Sequence, residues 1–191
     1  MIEMMRQTLK RKIRRLARRA SPRRFLRRED GAAAVEFGLI LLPFLALMFG
    51  IMETALVFFA DQTLETAVAD SARLIMTGQA QTQNLTATTF KNAVCARIYG
   101  LFNCQAGVYV NVQTYSSFGS ISYTPPLDNN GNLVTANMGY SPGGPGDIVV
   151  VQLYYQWPIY VSLMNLNHLS NMSGNKRLLV ATAAFRNEPY N

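Results

Sequence analysis

Histidine occurs once in this chain, at His168, and cysteine twice, at Cys95 and Cys104. That inventory leaves no third or fourth soft ligand for a structural metal centre and no histidine pair for acid–base work. A phosphate loop, a nucleophile elbow and a cluster of carboxylates beyond the first helix are also missing, so the chain reads as non-enzymatic, with no cofactor and no metal. Acidic residues are scarce as well, eleven against eighteen Lys and Arg, for a formal net charge of +7. The surplus sits at one end. Residues 1–30 hold twelve basic side chains against three acids, Glu3, Glu29 and Asp30, a net of +9, and the remainder holds six against eight, a net of −2. The basic character therefore belongs to a leader, which argues against a nucleic-acid-binding body. With 49% hydrophobic residues over 191 positions, the rest is too apolar to be disordered and long enough for one domain.

Within the leader, Met5, Leu9, Ile13 and Leu16 recur at helical spacing among Arg and Lys, the pattern of a basic amphipathic helix on anionic lipid, broken at Ser21-Pro22. An RNA-binding arm is the less common use of such a stretch, and a mitochondrial transit peptide does not account for the long apolar segment after it. That segment runs from Ala32 to Ala60 and is apolar apart from Glu36 and Glu53. At about 1.5 Å per residue it exceeds the ~30 Å hydrocarbon core of a bilayer, and it is read as one transmembrane helix. A secretory signal peptide has an apolar region of about 7–15 residues and then a small-residue cleavage site. Here the uncharged run from Phe37 to Met52 leads straight into Glu53 without such a site. Twelve basic residues precede the span and only Arg73 lies close beyond it, so the positive-inside bias puts the N-terminus in the cytoplasm and the C-terminal domain outside.

The junction reads RREDGAAAVEFGLILLP, with a glycine at Gly31, small residues after it, and Glu36 beside Phe37 inside the apolar run. A carboxylate there costs up to a few kcal/mol at the bilayer centre and less near an interface. A shallow Glu36 that simply reaches water explains its tolerance, but not its neighbours. Together these residues resemble the processing site of type IV prepilins and pseudopilins. The stretch from Gly31 to about Leu74 is more narrowly similar to the TadE-like segment of Tad (tight adherence, Flp-type) pilus assembly proteins. The shared features are Val35-Glu36-Phe37, Leu42-Pro43, Glu53 and an Ala-rich continuation to Ala72-Arg73. The ending Phe185 to Tyr190, FRNEPY, is also similar to that family's C-terminus. The resemblance implies cleavage by a prepilin peptidase between Gly31 and Ala32, with Glu36 offering its carboxylate to the new α-amine of a neighbouring subunit. Pro43, which lacks an N–H, leaves the Leu39 carbonyl without its helical partner and predicts a kink.

Beyond Ala60 the apolar pattern narrows to a stripe, Leu64, Ala67, Val68, Ser71, Ala72, Ile75 and Met76, so the helix continues and becomes amphipathic until Gly78 stops it. Residues 86–101 predict a second helix with Phe90, Val94 and Ile98 on one side, its end bracketed by Cys95 and Cys104. Outside the cytoplasm such a pair favours a disulfide, constraining the unfolded chain by about 2–3 kcal/mol; two buried free thiols are the alternative. Residues 108–115, 147–161 and 177–185 read as strands, the middle one ending or bending at Trp157-Pro158. Residues 116–147 predict a loop with a small hairpin around Asn130-Gly131. Asp128 to Asn132 resembles a calcium loop only faintly, lacking its glycine and distal glutamate. The sequons at Asn84 and Asn171 matter only in a eukaryotic secretory pathway.

The fold expected is therefore α+β and pilin-like: a long N-terminal helix, transmembrane and then amphipathic, packed on a small C-terminal domain with a short helix and an antiparallel sheet. The domains are a leader 1–31, a span 32–60 and an extracytoplasmic domain 61–191. The resemblance implies a single-pass inner-membrane minor pilin or pseudopilin that helps assemble Flp pili for adhesion and biofilm formation. Its partners would be the prepilin peptidase, other minor pilins, the Tad assembly platform and membrane lipid, with no nucleic acid. The competing reading is an uncleaved single-pass envelope protein whose outer domain binds a ligand or hydrolyses one.

Overall fold

The computed structural model describes residues 31–98, 100, 103–160 and 169–190. The leader with its expected amphipathic helix, Tyr99, Leu101 and His168 lie outside the described residues. The chain divides into two compact units, Met1–Met48 and Phe49–Asn191. One helix, α1 (Ala32–Met76), runs uninterrupted past Pro43. It is long and apolar enough to cross a membrane. In the first unit its side chains are largely exposed, with Leu39, Ile40 and Leu42 each about 70% accessible.

In the second unit α1 acquires a buried stripe, Glu53, Val57, Ala60, Leu64, Ala67, Val68, Ser71, Ala72 and Ile75, returning every three or four residues. Four of the nine are Ala or Ser, and Leu64 and Ile75 are the large aliphatic side chains of the stripe, both at zero exposure. Ser71, fully buried, donates its hydroxyl to the Ala67 carbonyl at 2.6 Å. The stripe packs against a three-stranded antiparallel sheet, order β1 (Val108–Tyr115), β2 (Ile148–Pro158), β3 (Lys176–Arg186). Alternation selects the core face: Val108, Val110 and Val112 on β1 stand opposite Tyr155, Leu153 and Val151 on β2, which in turn stand opposite Leu179, Ala181 and Ala183 on β3. β2 is buried on both faces, and Pro158 is its last residue. The outer edge of β1 is partly covered, because residues 139–141 run beside it and exchange Val112 N–H to Gly139 O and Ser141 N–H to Val112 O bonds.

The second helix is shorter than its periodicity predicts. α3 (Ala87–Cys95) opens on a reciprocal cap between Thr86 and Thr89 and ends where the chain turns back, with Gly100 at φ 75°. A disulfide joins Cys95 to Cys104, and Cys104 opens the short α4 (Cys104–Gly107). Phe90 and Val94 are fully buried and Ile98 nearly so, which keeps the predicted apolar side. A one-turn α2 (Gln79–Thr82) follows Gly78 and has no counterpart in the sequence reading. The expected hairpin is a single antiparallel bridge, Leu127 to Leu133, around a turn with Gly131 at φ 75°.

Candidate functional site

The glycine–glutamate junction is exposed among the described residues. Gly31 is exposed, and a Cβ built on it meets nothing within 4 Å. Its φ lies outside the left-handed region, so neither space nor backbone geometry in this chain requires glycine there. Ala32, Val35, Glu36 and Phe37 are exposed in turn, Phe37 to 66%. The Glu36 carboxylate has no hydrogen bond or ion pair among the described residues.

The second glutamate of the same helix behaves in the opposite way. Glu53 is 4% exposed and its Oε1 accepts the Tyr160 backbone N–H at 3.3 Å. In the sequence Glu53 is one of two charges in the apolar run and a feature shared with the TadE-like segment; the structure places it four residues before Val57 and seven before Ala60, on the stripe that becomes the core. The signal was present in that spacing.

The C-terminal FRNEPY segment closes the far end of α1. Asn187, 3% exposed, donates its side-chain amide to the Pro142 and Gly144 carbonyls, and its backbone N–H to Asp147 O. Glu188 N–H bonds Met76 O at 2.8 Å, just before Gly78 turns the chain at φ 76°. The Tyr190 ring lies so close to Gly78 that a Cβ there would sit 2.3 Å from its Cγ. The tail thus ties the end of α1 to the 142–147 loop, a fold-closing role.

Asp128 is engaged within its own turn. Its carboxylate accepts the Asn132 backbone and side-chain N–H groups and the Asn130 N–H, and these bonds hold its pKa below the usual carboxylate value. Among the described residues no group of three or more His, Cys, Asp or Glu side chains is placed to hold a metal.

The described residues hold one membrane-compatible helix, a small α+β unit and a glycine–glutamate junction at the start of that helix. The TadE-like protein family model matches residues 31–73, from the junction to near the end of α1 and less than a quarter of the chain. The match supports a Tad pilus-associated protein. No curated protein and no solved structure matches the chain.

Proposed function

We propose that this protein is a non-enzymatic, membrane-anchored minor pilin or pseudopilin required for assembling Flp-type pili in adhesion and biofilm formation. A prepilin peptidase cuts it between Gly31 and Ala32, and Glu36 then pairs with the α-amine of a neighbouring subunit. The observation that supports this reading is that Gly31 and Glu36 open the TadE-like match, yet among the described residues neither is held by a contact that calls for its side-chain type. A free α-amine at the start of a helix lies at the positive end of the backbone dipole, so a carboxylate is attracted to it twice over. In a lipid setting either charge alone is costly, which makes one pairing register strongly preferred.

The anchor suits the arithmetic of a bilayer. From Ala32 to Met52, before the buried stripe begins at Glu53, the helix measures about 31 Å at ~1.5 Å per residue, close to the ~30 Å hydrocarbon thickness. Leader inside and Phe49–Asn191 unit outside is the orientation that the basic leader favours. The disulfide supports the same side, because such bonds persist in oxidising compartments.

The test has two parts. Intact-mass measurement of membrane-extracted protein should give a chain starting at Ala32 in cells with an active prepilin peptidase; only uncut chain under those conditions refutes processing. Glu36→Ala should leave membrane insertion and the disulfide intact while abolishing crosslinking to neighbouring subunits and reducing pilus number. Wild-type piliation and crosslinking in that strain would leave Glu36 a shallow, solvated residue and overturn the pairing.

A further inference from the structure

The sheet face turned away from α1 is not plain solvent surface. Residues 122–127 and 134–138 stand over it and leave a cleft of about 580 Å³, within the ordinary size range of small-ligand sites. Its lining contains no Asp, Glu, Lys or Arg. Amides, phenols and prolines line it together with the hydroxyls of Ser122 and Thr124 and the apolar side chains of Leu127, Val134 and Met138.

Three amides form one row across β1 and β2. Gln113 Nε2 donates to Asn111 Oδ1, and Asn111 Nδ2 donates to Gln152 Oε1, both at 3.0 Å. The Gly139 N–H also donates to Asn111 Oδ1, at 3.0 Å, which fixes the orientation of the central amide. The row then has a definite polarity. Gln113 donates into the row and Gln152 accepts from it, so the row itself leaves Gln152 Nε2 as a donor and Gln113 Oε1 as an acceptor on either side of Asn111. Aromatic rings flank the row: Tyr115, Tyr154 and Tyr123, the last 51% exposed. Their phenols gather closely enough that Tyr123 and Tyr115 both add to the raised pKa of Tyr154.

We propose that this cleft binds a neutral oligosaccharide. A sugar ring has an apolar C–H face that packs on a phenol ring and an edge of hydroxyls, each of which both donates and accepts; the amide row offers both kinds of partner at fixed positions. A charged ligand finds no countercharge in the lining and would lose its hydration without compensation. An apolar ligand would strand the Gln152 and Gln113 amide atoms. A proline-rich peptide, the other usual occupant of tyrosine-lined grooves, supplies few N–H donors, and Gln113 Oε1 needs one. Asn111 to Tyr115 spans about 13 Å along β1 at ~3.3 Å per residue, the reach of a short oligosaccharide and more than a single ring needs. The proposal does not depend on cleavage at Gly31 or on pairing by Glu36.

The test uses the full chain in micelles of a detergent without a sugar headgroup, titrated with maltotriose, cellotriose, chitotriose, mannotriose and lacto-N-tetraose. Saturation-transfer NMR and tyrosine fluorescence report binding, with sialyllactose as the charged comparator and decaproline as the peptide comparator. At least one neutral oligosaccharide should bind saturably, with Kd about 1 mM or tighter. Tyr123→Ala, at an exposed ring, and Gln113→Ala should each weaken that binding about fivefold or more while the Cys95–Cys104 bond and the far-UV spectrum stay as in the parent. Glu36→Ala should leave it unchanged, which separates this site from the assembly reading. Saturable binding to none of the neutral sugars overturns the proposal. So does binding insensitive to both cleft variants, or preference for sialyllactose or decaproline.

Discussion

Replacing Gly78 by Ala tests how the C-terminal tail closes the fold. The backbone there sits at φ 76°, a region in which an L-residue with a Cβ pays roughly 1–2 kcal/mol. The new methyl would also lie 2.3, 2.4 and 2.8 Å from Cγ, Cδ1 and Cδ2 of Tyr190, so the ring has to leave. Its departure gives up a half-buried aromatic contact and the weak Tyr190 Oη to Gly143 O bond at 3.4 Å, together about 1 kcal/mol. Gly78→Ala should therefore destabilise the Phe49–Asn191 unit by about 2–3 kcal/mol, and Tyr190→Ala alone by about 1 kcal/mol. In the double variant the ring is lost once, not twice, so the two losses should fall short of their sum by about 1 kcal/mol. Trp157, the chain's one tryptophan and 6% exposed, reports unfolding in denaturant titrations of micelle-held protein. Wild-type stability of Gly78→Ala would refute the backbone argument; full additivity of the two variants would refute the steric one.

Two other outcomes are expected of the same unit. Thiol labelling of denatured, unreduced protein should modify neither Cys95 nor Cys104, and Cys95→Ser with Cys104→Ser should lower stability by about 2.5–3 kcal/mol for a loop closed over a sequence separation of nine; two labelled cysteines per chain would contradict the bond. Burial first, and then the neighbouring phenols of Tyr123 and Tyr115, push Tyr154 up from 10.0 to about 12. The folded-state value is the raised one, so this contribution to stability is fully present below about pH 10 and is lost as pH rises towards about 12. Denaturation midpoints should fall over that window, and Tyr154→Phe should flatten the fall; an unchanged slope would count against it.

The parts of this molecule that were legible in the sequence are those whose cause is local. The apolar run of α1 and the stripe from Leu64 to Ile75 state their own surroundings, and the β-branched runs at 108–115 and 147–161 state theirs. The end of α3 was misjudged because Tyr99 and Leu101 extend an apolar pattern beyond the point where the Cys95–Cys104 bond turns the chain. α2 is a single turn, Gln79 to Thr82, too short to show a periodicity although its Ala80 is buried in the core. The FRNEPY tail was noticed as a likeness, but its role depends on Gly78 and on Pro142 to Asp147, both distant in sequence. The cleft is less legible still: Asn111 and Gln152 are 41 residues apart and meet only through the register of β1 on β2. Polar residues on the outward positions of a strand look the same whether they face water or a ligand.

The two glutamates of α1 show why local costliness alone does not assign a role. Each interrupts an apolar stretch, and in sequence each looks equally anomalous. Glu53 is taken up by the fold: it is buried on the helix's inner stripe and caps the Tyr160 N–H where the chain leaves β2. Deleting its side chain would remove an acceptor and packed side-chain volume from a position only 4% exposed, a loss that stability measurements see directly. Glu36 is exposed, has no partner among the described residues and lies outside the Phe49–Asn191 unit, so its removal should leave the stability of that unit unchanged. Stability therefore separates the two residues: it should respond to Glu53→Ala and ignore Glu36→Ala, whereas subunit crosslinking through the start of α1 should respond to Glu36→Ala.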